Sequence, residues 1–374
     1  MKEKISPLHS PYIIDGVRQE LTPAQILQSV SDTPVSAPGA SSFAPVVDET
    51  SDTDPSSPEL DARKVEKYFA AMCAVERRFP LQYAGPYTRG LVYSTLLDCI
   101  WRLGHFRIGD LCLNACWRWN NSGMGSMAGF YDSVSAVGDM LFSLNLKLRE
   151  FSLTQTRRAP SLELSADIRP AEDGASLIEE PFSSVNPNMA AARISGSFLP
   201  DPKSWIVYIP FDSSSFKLGG SLLAQALGVN PPQAPQLDDT DCFIDCFEVV
   251  RELVEDGIVL AGASVWEGGL ISALRGMATA RTGAVLDLSD LRKACGETDM
   301  VSLLFAEVPG VVIQIRDIDF DYIDAELLLQ DVAFYPLGHP AANGGAVRVR
   351  SSAKTGIQSI LESLVRRQGG EGED

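Results

Sequence analysis

Histidine is nearly missing from this chain. Its 374 residues hold three, His9, His105 and His339, and none stands in a local pattern with serine, cysteine or acid that suggests a catalytic triad. Long apolar runs are missing too, since nothing approaches the roughly 20 residues that cross a bilayer. The first residues, Met1-Lys2-Glu3-Lys4-Ile5, lack the apolar core of a secretory signal. Together these features predict a cytoplasmic protein with no membrane partner. Basic residues are scarce, with 31 Lys and Arg against 49 Asp and Glu, for a net charge of −18. A nucleic-acid backbone would be repelled, so nucleic acid is not an expected partner. A small phosphate held by backbone amides is still compatible with that charge. Cysteines number seven, which is odd, and most fall in apolar patterns, so buried reduced thiols are expected rather than a disulfide framework. Cys112 and Cys116, and Cys242 and Cys246, are each four apart on predicted helices. A structural zinc site needs four ligands, so these read as small hydrophobes.

What is present is a layered α/β pattern, of the α+β kind. Phe243, Phe247, Val250 and Val254 recur at helical spacing behind N-cap candidates Asp239, Thr240 and Asp241, and Gly257 ends the helix. A short apolar strand is expected over 258–261, a loop over 262–267, a second helix opening at Gly268 and Gly269, and a strand over 284–288. Further strands are expected over 162–168, 205–209, 311–315 and 332–335, with a weak one over 341–350 and helices over 322–329 and 351–367. Upstream, 62–148 reads as helical throughout, including a third short apolar segment over 108–119. Trp101, Trp117 and Trp119 with Phe106 read as core. Residues 1–30 form an N-terminal segment with one helix over 23–30 after Thr22. Residues 31–61 are crowded with Ser, Pro, Thr, Asp and Glu, too polar to offset their ordering entropy, and are expected to be a disordered acidic linker. The remaining divisions are a truncated, helix-rich first domain over 62–156, a connector over 157–180, a complete C-terminal domain over 181–340, and a helix and tail over 341–374.

Two glycine turns carry the candidate chemistry. In Lys217-Leu218-Gly219-Gly220-Ser221 the glycines allow close backbone approach, Ser221 caps a helix or donates to an oxyanion, and Lys217 adds positive charge. Gly268 and Gly269 open a helix whose amides and dipole favour an anion. Glu267, just before them, is the one candidate magnesium ligand. Each turn also reads more plainly, as a capped helix start or a tight turn that lets the helix pack closely, and Glu267 as a solvated loop acid.

Several stretches resemble one family. Lys217-Leu218-Gly219-Gly220-Ser221-Leu222-Leu223-Ala224-Gln225 is similar to a glycine–glycine–serine turn and helix, and Ala234-Pro235-Gln236-Leu237-Asp238 to the segment leading into the next helix. Leu303-Leu304-Phe305-Ala306-Glu307-Val308-Pro309-Gly310-Val311-Val312-Ile313-Gln314-Ile315 resembles an "F-x-E-x-x-G-x-V-I-Q-V" strand, and 129–138 resembles an "L-Y-D-A-V-x-A-V-G" helix. The family is the aminoimidazole ribonucleotide synthetase superfamily, more narrowly the phosphoribosylformylglycinamidine synthases of purine synthesis. The resemblance implies a two-domain unit, the second half of such an enzyme, without an evident glutaminase domain. It implies a ligase, ATP or ADP with magnesium as cofactor, a nucleotide or phosphorylated small molecule as ligand, and a homodimer or a heteromer with a related synthase chain. Nucleotide phosphates would fall to Lys217, Gly219, Gly220, Ser221, Gly268 and Gly269, and magnesium to Glu267. Two departures point to a degenerate, auxiliary or non-catalytic half. The glycine loop reads Trp266-Glu267-Gly268-Gly269 where the family has an aspartate, and the family's "G-K-D-S" turn after the 129–138 helix is missing. The alternative is a structural or interaction protein that has kept only the scaffold.

Overall fold

The computed structural model describes residues 6–31, 43–57, 59–102, 107–168, 193–297 and 299–350. The expected helix over 351–367 and the opening of the C-terminal domain near 181 lie outside them.

The larger sheet has six strands. They are β7 (Trp205–Pro210), β8 (Val259–Val265), β9 (Gly283–Asp287), β10 (Gly310–Ile315), β11 (Tyr335–Ala341) and β12 (Val347–Arg350), in the order β12-β9-β11-β7-β10-β8. Both faces are covered, which is why β7 and β10 are apolar without alternation. Val207 and Ile209 join one core with Val311 and Ile313, while Ile206, Tyr208 and Val312 point into the other. The first core is closed by α6 (Thr240–Glu255) and α10 (Phe320–Leu329). The second is closed by α5 (Leu222–Leu227), α7 (Gly269–Met277), α8 (Ser289–Ala294) and α9 (Met300–Phe305).

The front of the chain adds α1 (Pro23–Ser29), α2 (Val65–Cys73), α3 (Ala84–Ile100) and α4 (Ser126–Ser143), with a three-stranded sheet of β4 (Leu111–Trp119), β5 (Lys147–Gln155) and β6 (Ser161–Ile168). Helix α1 begins as expected, with Thr22 and Gln25 forming a reciprocal capping box. The stretch 108–119 is not helical. Leu111, Leu113, Ala115, Trp117 and Trp119 alternate onto a buried face, a period of two, and β4 pairs parallel with β5 and antiparallel with β6. Cys112 and Cys116 therefore lie on a strand, not a helix. Cysteines 99, 112 and 246 are buried, but Cys73 and Cys295 are exposed, and all seven are free. Strand β6 begins within the expected connector yet completes this sheet.

Part of the expected linker is ordered. Within it, β3 (Val46–Asp48) pairs parallel with β1 (Tyr12–Ile14), which pairs antiparallel with β2 (Val17–Arg18). Polar composition hid a specific job: the Asp48 carboxylate accepts from the amides of Gly125 at 3.1 Å, Met127 at 2.7 Å and Ala128 at 3.1 Å, satisfying the orphan donors at the start of α4.

Two further boundaries differ. Strand β8 runs on through Val265 where a loop was expected, because its small residues make room for Trp101. A Cβ on Gly262 would lie 2.1 Å from the Trp101 ring, whose indole donates to Ser264 Oγ at 2.9 Å. The strand expected over 332–335 starts at Tyr335 instead. Pro336 and Pro340 argue against a strand, but a register shift between Pro336 and Gly338 (φ +141°) accommodates them.

Candidate functional site

Both glycine turns converge on one carboxylate. Glu307 follows α9 and precedes β10, and its side chain is 5% exposed. Its Oε1 accepts from the Leu222 amide at 3.1 Å and the Gly268 amide at 2.8 Å, the first backbone donors of α5 and α7. The same oxygen takes a short hydrogen bond from Arg77 Nη2. Arg77, 9% exposed, sits just beyond α2; its Nη1 donates to the Gly220 carbonyl at 3.2 Å, and its Nε lies 3.7 Å from Glu267 Oε1 without a hydrogen bond of its own. The guanidinium carbon is 5.1 Å from the centre of the Tyr87 ring. Burial opposes the charge on Arg77, yet Glu307, Tyr87 and Glu267 outweigh it and its pKa rises above the ordinary value. Burial also pushes the Tyr87 hydroxyl up to about 12, Arg77 moderating the rise.

The residues singled out by sequence gather here, largely engaged with one another. Gly219 donates its amide to the Gln233 carbonyl at 2.8 Å. Ser221 is the N-cap of α5, its Oγ accepting from the Ala224 amide at 3.2 Å. Gly268 and Gly269 both take positive φ, +74° and +72°, and a Cβ on Gly269 would lie 2.7 Å from the Leu304 carbonyl, so close packing as well as turn geometry calls for glycine. Lys217 is partly exposed and has no ion-pair partner among the described residues. Glu267 is exposed, beside Arg77.

The space between the two turns is nearly filled. Trp266 lies against Gly90 of α3, where a Cβ would be 1.7 Å from the ring, and Tyr83 packs on Gly220. What remains between Tyr83, Tyr87, Gly219, Gly220, Trp266 and Glu307 is a cavity of about 20 Å³, room for a single water molecule. Larger recesses adjoin it: one of about 980 Å³ is lined by Leu222 and Glu267 together with Glu66, Arg275 and Arg348, with Arg275 paired to Glu66, and one of about 830 Å³ by Arg77, Tyr83, Gly220 and Gln225.

The gap between the two turns does not fit a magnesium nucleotide. One of the expected phosphate amides, that of Gly268, is bonded to Glu307 along with the neighbouring Leu222 amide, the cavity between the turns is far smaller than a nucleotide, and no group of three or more His, Cys, Asp or Glu among the described residues is placed to hold a metal ion.

Sequence reasoning placed the two turns but missed what sits in them. Glu307 was visible as a lone acid inside an apolar run, and a buried charge demands a partner. Arg77, in a Glu-Arg-Arg stretch, carries no such signal.

The curated relatives share this chain's residues at a modest level. Human phosphoribosylformylglycinamidine synthase is 25% identical over 267 residues, 68% of this chain and 18% of that protein. The Drosophila melanogaster enzyme of the same name is 29% identical over 174 residues, 44% of this chain and 13% of that protein. The chain resembles phosphoribosylformylglycinamidine synthase. It spans less than a fifth of the length of these synthases. No protein-family model matches it. Among solved structures, Thermotoga maritima PurL complexed with FGAR aligns with a TM-score of 0.50 at 12% identity, covering 74% of this chain and 42% of that one. That likeness is one of fold: the chain has the aminoimidazole ribonucleotide synthetase-like fold. Among the described residues no helix is long and apolar enough to cross a membrane.

Proposed function

We propose that this chain is an auxiliary, non-catalytic half of a phosphoribosylformylglycinamidine synthase-like assembly of purine biosynthesis. It supplies a fixed two-domain shape and works in the cytoplasm beside a related chain that performs the ATP-dependent amidotransfer. The observation that carries this reading is the Glu307 carboxylate, which takes the Leu222 and Gly268 amides and leaves neither for a phosphate. On this reading Gly219, Gly220, Ser221, Gly268 and Gly269 seat Glu307 rather than a nucleotide, and Glu267 screens Arg77 rather than binding magnesium.

The test is an amidotransfer assay of the purified chain with ATP, Mg²⁺, ammonia and formylglycinamide ribonucleotide. No product above background is expected from the chain alone. Steady turnover would overturn the reading. A second reading, a scaffold that has left purine synthesis altogether, draws on the Trp266–Gly90 contact that fills the cleft. Specific association with a catalytic synthase chain decides against it.

A further inference from the structure

A second surface lies away from the cleft, on α10. Its inner face is ordinary core: Ile323 and Leu327 are buried, and Phe320 packs on Trp205 with ring centres 4.8 Å apart. Its outer face is apolar as well. Ile318, Tyr322, Ala325 and Leu329 recur at steps of four, three and four, which places them in one line opposite the buried stripe. Ile318 is 84% exposed, Tyr322 52%, Leu328 77% and Leu329 82%. Four of the eleven large apolar side chains exposed among the described residues thus crowd into one helix and its approach. Singly exposed apolar residues need no explanation, but a contiguous patch marks a contact surface.

The border of the patch states what fits it. Asp317, Asp321, Asp324 and Asp331 are exposed around the stripe. The nearby cation, Arg316, is spent on Asp319 at 3.1 Å. A second copy of this chain would bring the same acidic border and a further net charge of −18, so like would face like. We infer that the outer face of α10 docks a partner protein through an amphipathic helix whose apolar face is bordered by lysine or arginine. Apolar contact supplies the affinity, and the opposed charges set orientation and encounter rate.

The experiment uses the full chain and a fluorescent synthetic peptide, helical, with leucines on one face flanked by lysines. A control peptide carries glutamate at each lysine. Anisotropy is expected to show saturable binding of the lysine peptide and none of the glutamate peptide. Leu328→Ser with Leu329→Ser, a charge-neutral change at exposed positions, is expected to weaken binding at least tenfold, and Asp321→Asn with Asp324→Asn to weaken it and reduce its salt dependence. Four results would overturn the inference. They are no binding of the lysine peptide, binding unchanged by the leucine substitutions, a dimer in sedimentation that the leucine substitutions dissolve, and binding that emerges only when residues 351–374 are removed. The third would identify a second copy as the occupant and the fourth the chain's own tail.

Discussion

Arg77 and Glu307 stand 230 residues apart and meet in a buried ion pair where the N-termini of α5 and α7 converge. One partner comes from the front of the chain and the other from its C-terminal half. The pair therefore fastens the two parts together at the place where this fold keeps its two glycine turns.

Removing one member leaves the other as an uncompensated buried charge. Glu307→Ala or Arg77→Ala is expected to lower the unfolding free energy by about 3–5 kcal/mol. The double substitution is expected to cost clearly less than the sum, because the two act as one unit. Urea denaturation checks this, through a midpoint that falls at constant slope.

Gly90 is expected to tolerate no side chain while Trp266 is present. A Cβ there would lie 1.7 Å from the indole ring, and overpacking of this kind costs about 1–3 kcal/mol. Gly90→Ala combined with Trp266→Leu should recover most of the loss. An unaltered melting temperature for Gly90→Ala alone would mean that Trp266 does not fill the cleft.

Asp48 tests the correction to the expected linker. Its carboxylate accepts three amides at the start of α4, so Asp48→Ala is expected to cost about 0.5–2 kcal/mol, the range for a lost N-cap. Amide exchange at Met127 and Ala128 should speed up. A truly solvated linker residue would change neither.

Asp132 links stability to pH. The Asp132 side chain is exposed overall, but local desolvation of its carboxyl where it meets Gly85 raises its pKa, partly offset by the Gly85 amide that donates to it at 2.6 Å, so the effect on stability is small. A carboxyl whose folded pKa is raised holds its proton more tightly in the folded state. Its contribution is fully present below the unfolded value near 3.9 and is lost as pH rises through the folded value. Asp132→Asn keeps an acceptor for Gly85 without the charge. It is expected to be at least as stable as the parent at neutral pH, with the difference vanishing in acid. Unfolding curves across that range decide it.

The elements that sequence revealed are those whose signal is local. Helix α6 has an unbroken apolar stripe behind Asp239, and its N-cap is where the spacing puts it, Asp239 accepting from the Cys242 amide at 3.2 Å. Ser221 was legible for the same reason. Strand β4 was misread because its indoles and cysteines read as a helical apolar segment, although their alternation has a period of two. Strand β11 was misplaced because two prolines normally exclude a strand, and only the bulge at Gly338 admits them. The use of Asp48 and the Arg77–Glu307 pair depend on neighbours tens to hundreds of residues away. No local pattern announces such contacts, so the turns were visible and their occupant was not.

The most direct measurement is a thermal-shift titration of the full chain with ADP and ATP, with and without Mg²⁺. A ligand that binds only the folded state at 100 times its dissociation constant adds about 2.7 kcal/mol. With Glu307 holding the Leu222 and Gly268 amides, the expected result is an unchanged midpoint up to millimolar nucleotide. A Mg²⁺-dependent rise would contradict it, and would mean that Glu307 yields its place to a phosphate.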